Sequence, residues 1–407
     1  VLKSGIGYNE KQRDIRGRLF KYDFGSTLRR NINNDDQFGV DFLADYDSDE
    51  YIDGTNRGGE GLWLDEQTRS GNTIRNLDAF QDINAAYLMG TLSWDNLKIT
   101  GGFRFEQEER GFNVITELNR EEDANRLNEI GPQNNSYILP AISAVYSMGG
   151  TEDEPTHFFR VAYGRTIARP TFYEYAPIRT VDQATGLEIR GNGALEDTLI
   201  DNFDLRWEWF PAPTDLVSVS FFHKQMDSPI VTTVGTRAGS KFFRSWDNSP
   251  SGFIQGIELE YRKQLSGWFQ HFLVSTNFTY ILSEIEPIEQ EGGGTGSASV
   301  YEGQPSYIFN LNLGYDNPET GWAANLVYNY TGEILTDVSA DDQVPNIFKE
   351  GFSQLDFVVS KTFQTENFLN GVKLKLAVKN ILDSEVRRFY EGESLTYDSY
   401  FNGRSFS

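Results

Sequence analysis

The stretch Phe203-Asp-Leu-Arg-Trp-Glu-Trp209 alternates strictly between apolar and charged side chains. A proline-rich turn follows at Pro211-Ala-Pro-Thr-Asp215, and the alternation resumes at Val217, Val219 and Phe221. Successive side chains of a β-strand point to opposite faces of the sheet. The stretch therefore predicts a hairpin that has one apolar face and one polar face.

The same pattern recurs along most of the chain. A second clear copy alternates over residues 307–315, turns at Asp316-Asn-Pro-Glu-Thr-Gly321 and alternates again over residues 322–330. From these repeats we predict about 14 strands. The last two are expected over residues 371–386 and 396–407.

The connections between the predicted strands alternate in length. Short turns follow every second strand, and aromatic residues such as Trp209, Trp268 and Trp322 stand beside them. The longer connections cover residues 25–78, 117–135, 168–198, 229–251, 284–304 and 334–350. Transmembrane β-barrels have short periplasmic turns, long extracellular loops and aromatic girdles. The sequence thus predicts an all-β protein, an antiparallel up-and-down β-barrel in the outer membrane of a Gram-negative cell.

The composition excludes several other classes of protein. Apolar residues make up 38% of the 407 residues. No run approaches the roughly 18–20 apolar residues that a spanning helix needs. The net charge of -24 argues against a nucleic-acid partner, because phosphates would be repelled. The lack of cysteine excludes thiolate metal sites, cysteine nucleophiles and disulfides.

Four motifs follow one another in the second half of the chain. The first is Gly164-Arg-Thr-Ile-Ala-Arg-Pro170, and the second joins Gly191-Asn-Gly-Ala-Leu195 to Ile200-Asp-Asn-Phe-Asp-Leu205. The third is Gly252-Phe-Ile-Gln-Gly-Ile-Glu-Leu-Glu-Tyr261, and the fourth is Leu374-Lys-Leu-Ala-Val-Lys-Asn-Ile-Leu-Asp383. In these motifs and in their order the chain resembles TonB-dependent outer-membrane receptors.

The resemblance implies a barrel of about 22 strands whose lumen is closed by an N-terminal plug domain. Residues 1–407 would form the C-terminal portion of that barrel, since no counterpart of a plug or of a TonB-contacting box is found and the first residues already fit a strand. The implied function is active import of a siderophore, cobalamin, an oligosaccharide or a peptide, without enzymatic activity. The inner-membrane TonB complex would act through the plug.

The residues alone leave two other functions open. About 14 strands can close by themselves, which would give a passive diffusion porin. Alternatively, the long loops could bind a partner protein, which would make the chain a surface adhesin. An outer-membrane location also implies contact with lipid and lipopolysaccharide. A surface lipoprotein or another outer-membrane protein is a further expected partner.

Two loop segments combine aromatic side chains with arginine, which suits stacking on a ligand and hydrogen bonding to it. We expect the ligand contacts to come from these segments. The candidates are Phe172, Tyr173, Tyr175 and Arg179 in the first segment, and Phe242, Phe243, Arg244 and Trp246 in the second.

A third segment is acidic and reads Asp45-Tyr-Asp-Ser-Asp-Glu-Tyr-Ile-Asp53. Carboxylates are hard oxygen ligands, so Asp45, Asp47, Asp49 and Asp53 are candidate ligands for Ca²⁺. The segment lacks the central glycine and the final glutamate of an EF-hand loop, which favours a solvated acidic loop instead. We expect no other cofactor.

Overall fold

The computed structural model describes residues 1–16, 20–24, 62–66, 76–115, 131–150, 155–181, 188–237, 241–288, 300–337, 345–364, 370–392 and 395–407. Strands dominate this part of the chain. Its one α-helix, α1, spans Phe172–Tyr175, and a 3₁₀ turn spans Gly267–Phe269. None of its helices is long and apolar enough to cross a membrane.

The described residues contain 24 strands. Their bounds are β1 Leu2–Arg16, β2 Phe20–Phe24, β3 Leu62–Glu66, β4 Asn76–Trp94, β5 Leu97–Val114, β6 Gln133–Gly150, β7 Pro155–Ala168, β8 Arg179–Val181, β9 Glu188–Arg190, β10 Thr198–Trp209, β11 Leu216–Asp227, β12 Ile230–Arg237, β13 Lys241–Asn248, β14 Ser251–Gln264, β15 Phe272–Ile285, β16 Tyr307–Asn317, β17 Trp322–Thr331, β18 Ile334–Asp337, β19 Ile347–Lys349, β20 Phe352–Thr362, β21 Lys373–Lys379, β22 Glu385–Tyr390, β23 Thr396–Phe401 and β24 Ser405–Phe406.

Fourteen of these strands form one antiparallel sheet. Its order is β1-β4-β5-β6-β7-β10-β11-β14-β15-β16-β17-β20-β21-β24. Each strand therefore pairs with the next wall strand along the chain, which is the up-and-down arrangement predicted from the repeats. In the described residues β1 pairs with β4 alone and β24 with β21 alone.

The outward face of this wall is apolar. Phe203 and Leu205 are 47% and 55% exposed, and Leu205 lies opposite Val161 on β7 and Phe221 on β11. In a soluble protein such a band would be buried. A lipid-facing surface explains why a continuous row of large apolar side chains remains uncovered.

The opposite face of the same strands is polar and internally paired. The Arg206 Nε atom donates to Glu208 at 2.8 Å, and its Nη2 atom donates to Glu260 at 3.1 Å. Arg160 Nε approaches the second Glu208 oxygen at 2.7 Å. Farther round the wall, the Asn310 amide donates to Asn277 at 2.7 Å. These groups face the lumen, where water and hydrogen-bond partners are available.

The predicted fourteen-strand wall is confirmed, but the end of the chain differs from the prediction. The segment expected as one strand over residues 371–386 divides into β21 and β22, and residues 396–407 divide into β23 and β24. Asn380 and Asp383 have positive φ angles of 54° and 49° between β21 and β22, which breaks the strand. As a result, only β21 and β24 belong to the wall.

The first prediction concerns the alternation itself. Spin labels placed one at a time at residues 203–209 should report oxygen-rich lipid at odd positions and water at even positions. The reason is that residues 203, 205, 207 and 209 share the outward face. Collision accessibility to oxygen and to a water-soluble relaxant measures this in outer-membrane vesicles. Uniform accessibility along the strand would contradict the membrane wall.

Candidate functional site

Besides the two-stranded β2-β3 sheet, the described residues of the long connections build two four-stranded sheets at one end of the wall. The first loop sheet has the strand order β12-β13-β9-β8, and the second loop sheet has the order β18-β19-β22-β23. The first loop sheet is made from the two segments that contain the candidate ligand contacts. In it β13 pairs with β9 in parallel, which brings residues 243–244 beside residues 188–189.

Helix α1 forms at the start of the first segment because its ends are well defined. Pro170 precedes the N-cap residue Thr171, whose backbone amide donates to the Glu174 carboxylate at 2.7 Å. Ala176 is extended at the C-terminal end, as expected for a residue before Pro177. The single turn therefore places Phe172 and Tyr175, three residues apart, on one side and Tyr173 on another.

Tyr175 is the anchor of this turn. It is 1% exposed and packs edge-on against Phe112 of β5, with ring centroids 5.6 Å apart. The Arg110 guanidinium lies 5.0 Å from its ring centroid. Phe172 packs against the same apolar cluster, which also includes Leu77. These two aromatic residues hold α1 on the wall, so they position their neighbours.

Tyr173 and Trp246 bring the two candidate segments together. Their ring centroids are 5.3 Å apart in an edge-to-face arrangement, and Tyr173 is 39% exposed. The Asn192 side-chain amide donates to the Trp246 carbonyl at 2.9 Å. Gly191 permits the backbone beside Asn192 to pack closely on the end of α1, because a Cβ atom there would lie 1.7 Å from the Ala176 carbonyl oxygen. The Gly191-Asn192 motif is thus a packing motif.

The other candidate residues take part in contacts within the two loop sheets. The Arg190 guanidinium lies 3.9 Å from the Phe243 ring centroid, a cation–π contact. Arg244 forms an ion pair with Asp337 of the second loop sheet, and Arg388 approaches the other Asp337 oxygen at 3.7 Å. Asp337 therefore joins the two sheets. Arg179 lies in β8, and the Phe242 side chain lies outside the described residues.

A buried ion-pair network fixes the first segment to the wall. Its members are Glu106, Glu108, Arg110, Arg169 and Asp197. Arg169 approaches Glu106 at 2.6 Å and Glu108 at 3.0 Å. Arg169 belongs to the first of the four motifs, so that motif supplies a cation for two wall glutamates.

Arg110 completes this network from the other side. It pairs with Asp197, and its Nη2 atom donates to the Leu195 carbonyl at 2.8 Å. The Tyr137 hydroxyl donates to the second Asp197 oxygen at 2.8 Å. Arg110 and Glu108 are 2% and 0% exposed. Each buried charge thus has an opposite charge beside it, as burial requires.

A cavity of about 290 Å³ lies between the network, helix α1 and the first loop sheet. Apolar side chains line its floor, among them Ile200, Met226 and Val231. Trp246 and Tyr301 form aromatic walls. We call this space the loop cavity. Its volume lies just below the usual range for ligand sites, about 300–1,000 Å³.

Carboxylates also border the loop cavity. Glu174, Glu302 and the Arg169 guanidinium line it. Burial raises the pKa of the Glu302 carboxyl, and the nearby Asp337 charge adds to the increase, while Thr232 and Arg244 oppose it. Burial likewise raises the pKa of the Tyr301 hydroxyl, with smaller contributions from Glu302 and Glu174.

The candidate calcium ligands Asp45, Asp47, Asp49 and Asp53 lie outside the described residues. Calcium binding there stays a prediction. In the part of the chain that the structure describes, no group of three or more His, Cys, Asp or Glu side chains is arranged to hold a metal ion.

Sequence analysis missed the residues that assemble the site. The stretch Glu106-Gln-Glu-Glu-Arg110 predicts only a polar strand end, yet alternate members of it form the buried network. Arg169 and Asp197 stand at opposite ends of one long connection and Glu302 lies in another, so their proximity has no signal in the spacing. The period-two placement of Glu106, Glu108 and Arg110 is the one pattern that could have indicated a shared face.

Comparison with known proteins agrees with the fold. The chain matches the family model "TonB dependent receptor-like, beta-barrel" over residues 3–381. Among curated proteins, none matches. The FrpB iron transporter from Neisseria meningitidis has 11% identity and a TM-score of 0.55, and the alignment covers 95% of this chain and 48% of that one.

Two other solved structures are similar. The ferric-catecholate import receptor Fiu from Escherichia coli K12 has 14% identity and a TM-score of 0.51, with 77% of this chain and 42% of that one covered. The siderophore receptor PirA from Acinetobacter baumannii has 15% identity and a TM-score of 0.51, with 76% and 42% covered. The chain spans less than half the length of each of these three proteins.

The wall and its apolar outer band define a membrane β-barrel whose long connections elaborate one end. The family match is decisive because it covers nearly the whole chain. The chain belongs to the TonB-dependent receptor-like β-barrel family.

The second prediction tests the buried network. Replacing Asp197 with alanine takes from the buried Arg110 its closest carboxylate and leaves only Glu108 at 3.8 Å, which should lower the local opening free energy by about 3–5 kcal/mol. Hydrogen exchange of residues 188–198 in the detergent-solubilised protein measures this. The matched control is Asp201→Ala, which removes a more exposed pair with Arg165 and should cost about 0–1 kcal/mol. Equal effects of the two variants would contradict the network.

The third prediction concerns Glu302 and pH. Its folded-state pKa is raised, so the folded loop binds this proton more tightly than the opened loop does. Local stability should be fully present below the ordinary glutamate pKa of about 4.3 and should fall as the pH rises through the raised value. Hydrogen-exchange protection factors of residues 300–304 measure it. Glu302→Gln should remove this pH dependence, and persistence of the same slope in that variant would refute the assignment.

Proposed function

We propose that this chain forms the wall and outer vestibule of an energised importer, a receptor that takes up a scarce or bulky ligand by TonB-dependent transport. The family match over residues 3–381 supports this proposal most directly. The proposed cargo is a siderophore, cobalamin, an oligosaccharide or a peptide. The names of the three similar structures refer to iron or siderophore transport by those proteins.

In this proposal the loop end captures the ligand before transport begins. Tyr173, Phe243 and Trp246 supply aromatic surface beside the loop cavity and the first loop sheet, while Phe172 and Tyr175 position them. Arg179, Arg244 and Phe242 belong to the same two segments and complete the proposed contact surface. The polar lumen face, with its arginine, glutamate and asparagine side chains, borders the solute path.

The energy for opening that path comes, in this proposal, from the inner-membrane TonB complex. Other proposed partners are outer-membrane lipid and lipopolysaccharide around the apolar band, and a surface lipoprotein or another outer-membrane protein at the loops. A calcium ion on the acidic segment 45–53 would stiffen a loop and take no part in transport.

The fourth prediction separates an importer from a porin and from an adhesin. Cells producing the protein are given labelled ferric siderophores, cobalamin, oligosaccharides and peptides, with and without a protonophore. We expect one class to accumulate, and its accumulation to stop without the proton gradient while surface binding persists. Uptake at the same rate with and without the protonophore would indicate a passive channel. Binding without any uptake would indicate an adhesin.

The same assay tests the vestibule with matched variants. Trp246→Ala removes an aromatic wall of the loop cavity and should weaken cargo binding by about tenfold or more, as loss of a central aromatic contact does. Trp268→Ala is the control, because Trp268 is 99% exposed beside a short turn at the other end of the wall. Unchanged binding in Trp246→Ala would remove the loop cavity from the proposed function.

A further inference from the structure

The loop cavity has a preference for one sign of charge. Its arginine, Arg169, is already shared between Glu106 at 2.6 Å and Glu108 at 3.0 Å, so its charge is locally balanced. The nearest other guanidinium acting on Glu302 is that of Arg244, which is paired with Asp337. The carboxylates of Glu174 and Glu302 therefore leave the cavity with an excess of negative charge.

Both carboxylates are placed where their negative charge can act on a bound ligand. One Glu174 oxygen accepts the Thr171 backbone amide, and within the described residues the second oxygen remains open to a ligand. Both Glu174 and Glu302 act electrostatically on Tyr301, whose ring lines the same cavity. A ligand group beside Tyr301 would thus feel both charges together.

The remaining walls suit an organic ligand. Trp246 and Tyr301 present aromatic rings, and the floor of Ile200, Met226 and Val231 is apolar. Aromatic rings attract cations that lie over their faces, with tryptophan the most effective. An anion placed here would meet two carboxylates, while the cavity's own guanidinium is already committed to the wall.

We propose that the loop cavity binds an organic ammonium ion, with its charge near Glu174 and Glu302 and its apolar part against Trp246 and Tyr301. This inference rests on the proposed function, since it takes the loop cavity as the place where cargo is first held, and it names the cargo as cationic. The ammonium donates hydrogen bonds to the carboxylates, which replace the water it loses. The net charge of -24 also favours the approach of cations over anions.

The test uses three probes of similar size and different charge: phenethylammonium, neutral phenethyl alcohol and anionic phenylacetate. Each is titrated into the protein purified from outer membranes in detergent, with calorimetry and saturation-transfer NMR as readouts. We expect phenethylammonium to bind at least about tenfold more tightly than the alcohol, since it gains a charge-assisted contact. Phenylacetate should bind more weakly than the alcohol. Equal affinities, or a preference for phenylacetate, would overturn the proposal.

Two variants then locate the bound probe. Glu302→Gln keeps the shape of the side chain and should lower phenethylammonium affinity by about tenfold while leaving the alcohol unchanged. Glu196→Gln is the control, because Glu196 is an exposed carboxylate in another connection, 168–198, at the same end of the wall. An equal loss in both variants would show that binding follows the overall charge of the loops, and would reject the cavity as the site.

The outcome can be separated from that of the proposed function. If energised uptake is found but the protein binds phenethylammonium no more tightly than the other two probes, the proposed import function is retained and the cationic cargo is rejected. If phenethylammonium binds in the loop cavity but no cargo is accumulated, the ammonium site stands and the importer is rejected. The binding series on the unmodified protein is informative even if one variant fails to fold.

Discussion

Hydrocarbon offers no hydrogen bonds to a peptide group, so each backbone amide and carbonyl in the membrane must find its partner in the protein. The fourteen-strand wall meets this condition by long, regular antiparallel ladders, such as the unbroken register from Leu2 opposite Gly90 to Arg16 opposite Asn76. The alternation of apolar and polar side chains follows from this backbone pairing. Once the strands are fixed by pairing, each second residue must face lipid, and the residues between are left for the lumen.

The constraint ends where the chain leaves the membrane, and the architecture changes there. In the loop residues that the structure describes, long ladders give way to short strands, one parallel pairing and a single turn of helix. In this region ion pairs between side chains, as well as backbone hydrogen bonds, hold the elements together. Arg110 and Arg169 bind carboxylates from the wall and from the loop, so they connect the regular part of the molecule to its variable part.

This division explains which features the sequence could predict. The wall was predictable because the alternation of apolar and polar side chains can be seen within a single strand, as in residues 203–209 and 307–315. The contact between Tyr173 and Trp246 was only partly accessible, since composition marked both segments but did not indicate that they meet. The pairing of Asp337 with Arg244 and Arg388 joins residues far apart in the chain. No periodicity encodes such a contact, because it depends on how loops fold over a wall that is already formed.

The shared carboxylate of Asp337 has one more consequence. Guanidinium groups on two different sheets approach different oxygens of this one carboxylate, so a single side chain serves both. Asp337 lies in β18, six residues beyond Thr331 at the end of wall strand β17. Removal of this one carboxylate would therefore take a partner from both guanidiniums at once and weaken the contact between the two loop sheets.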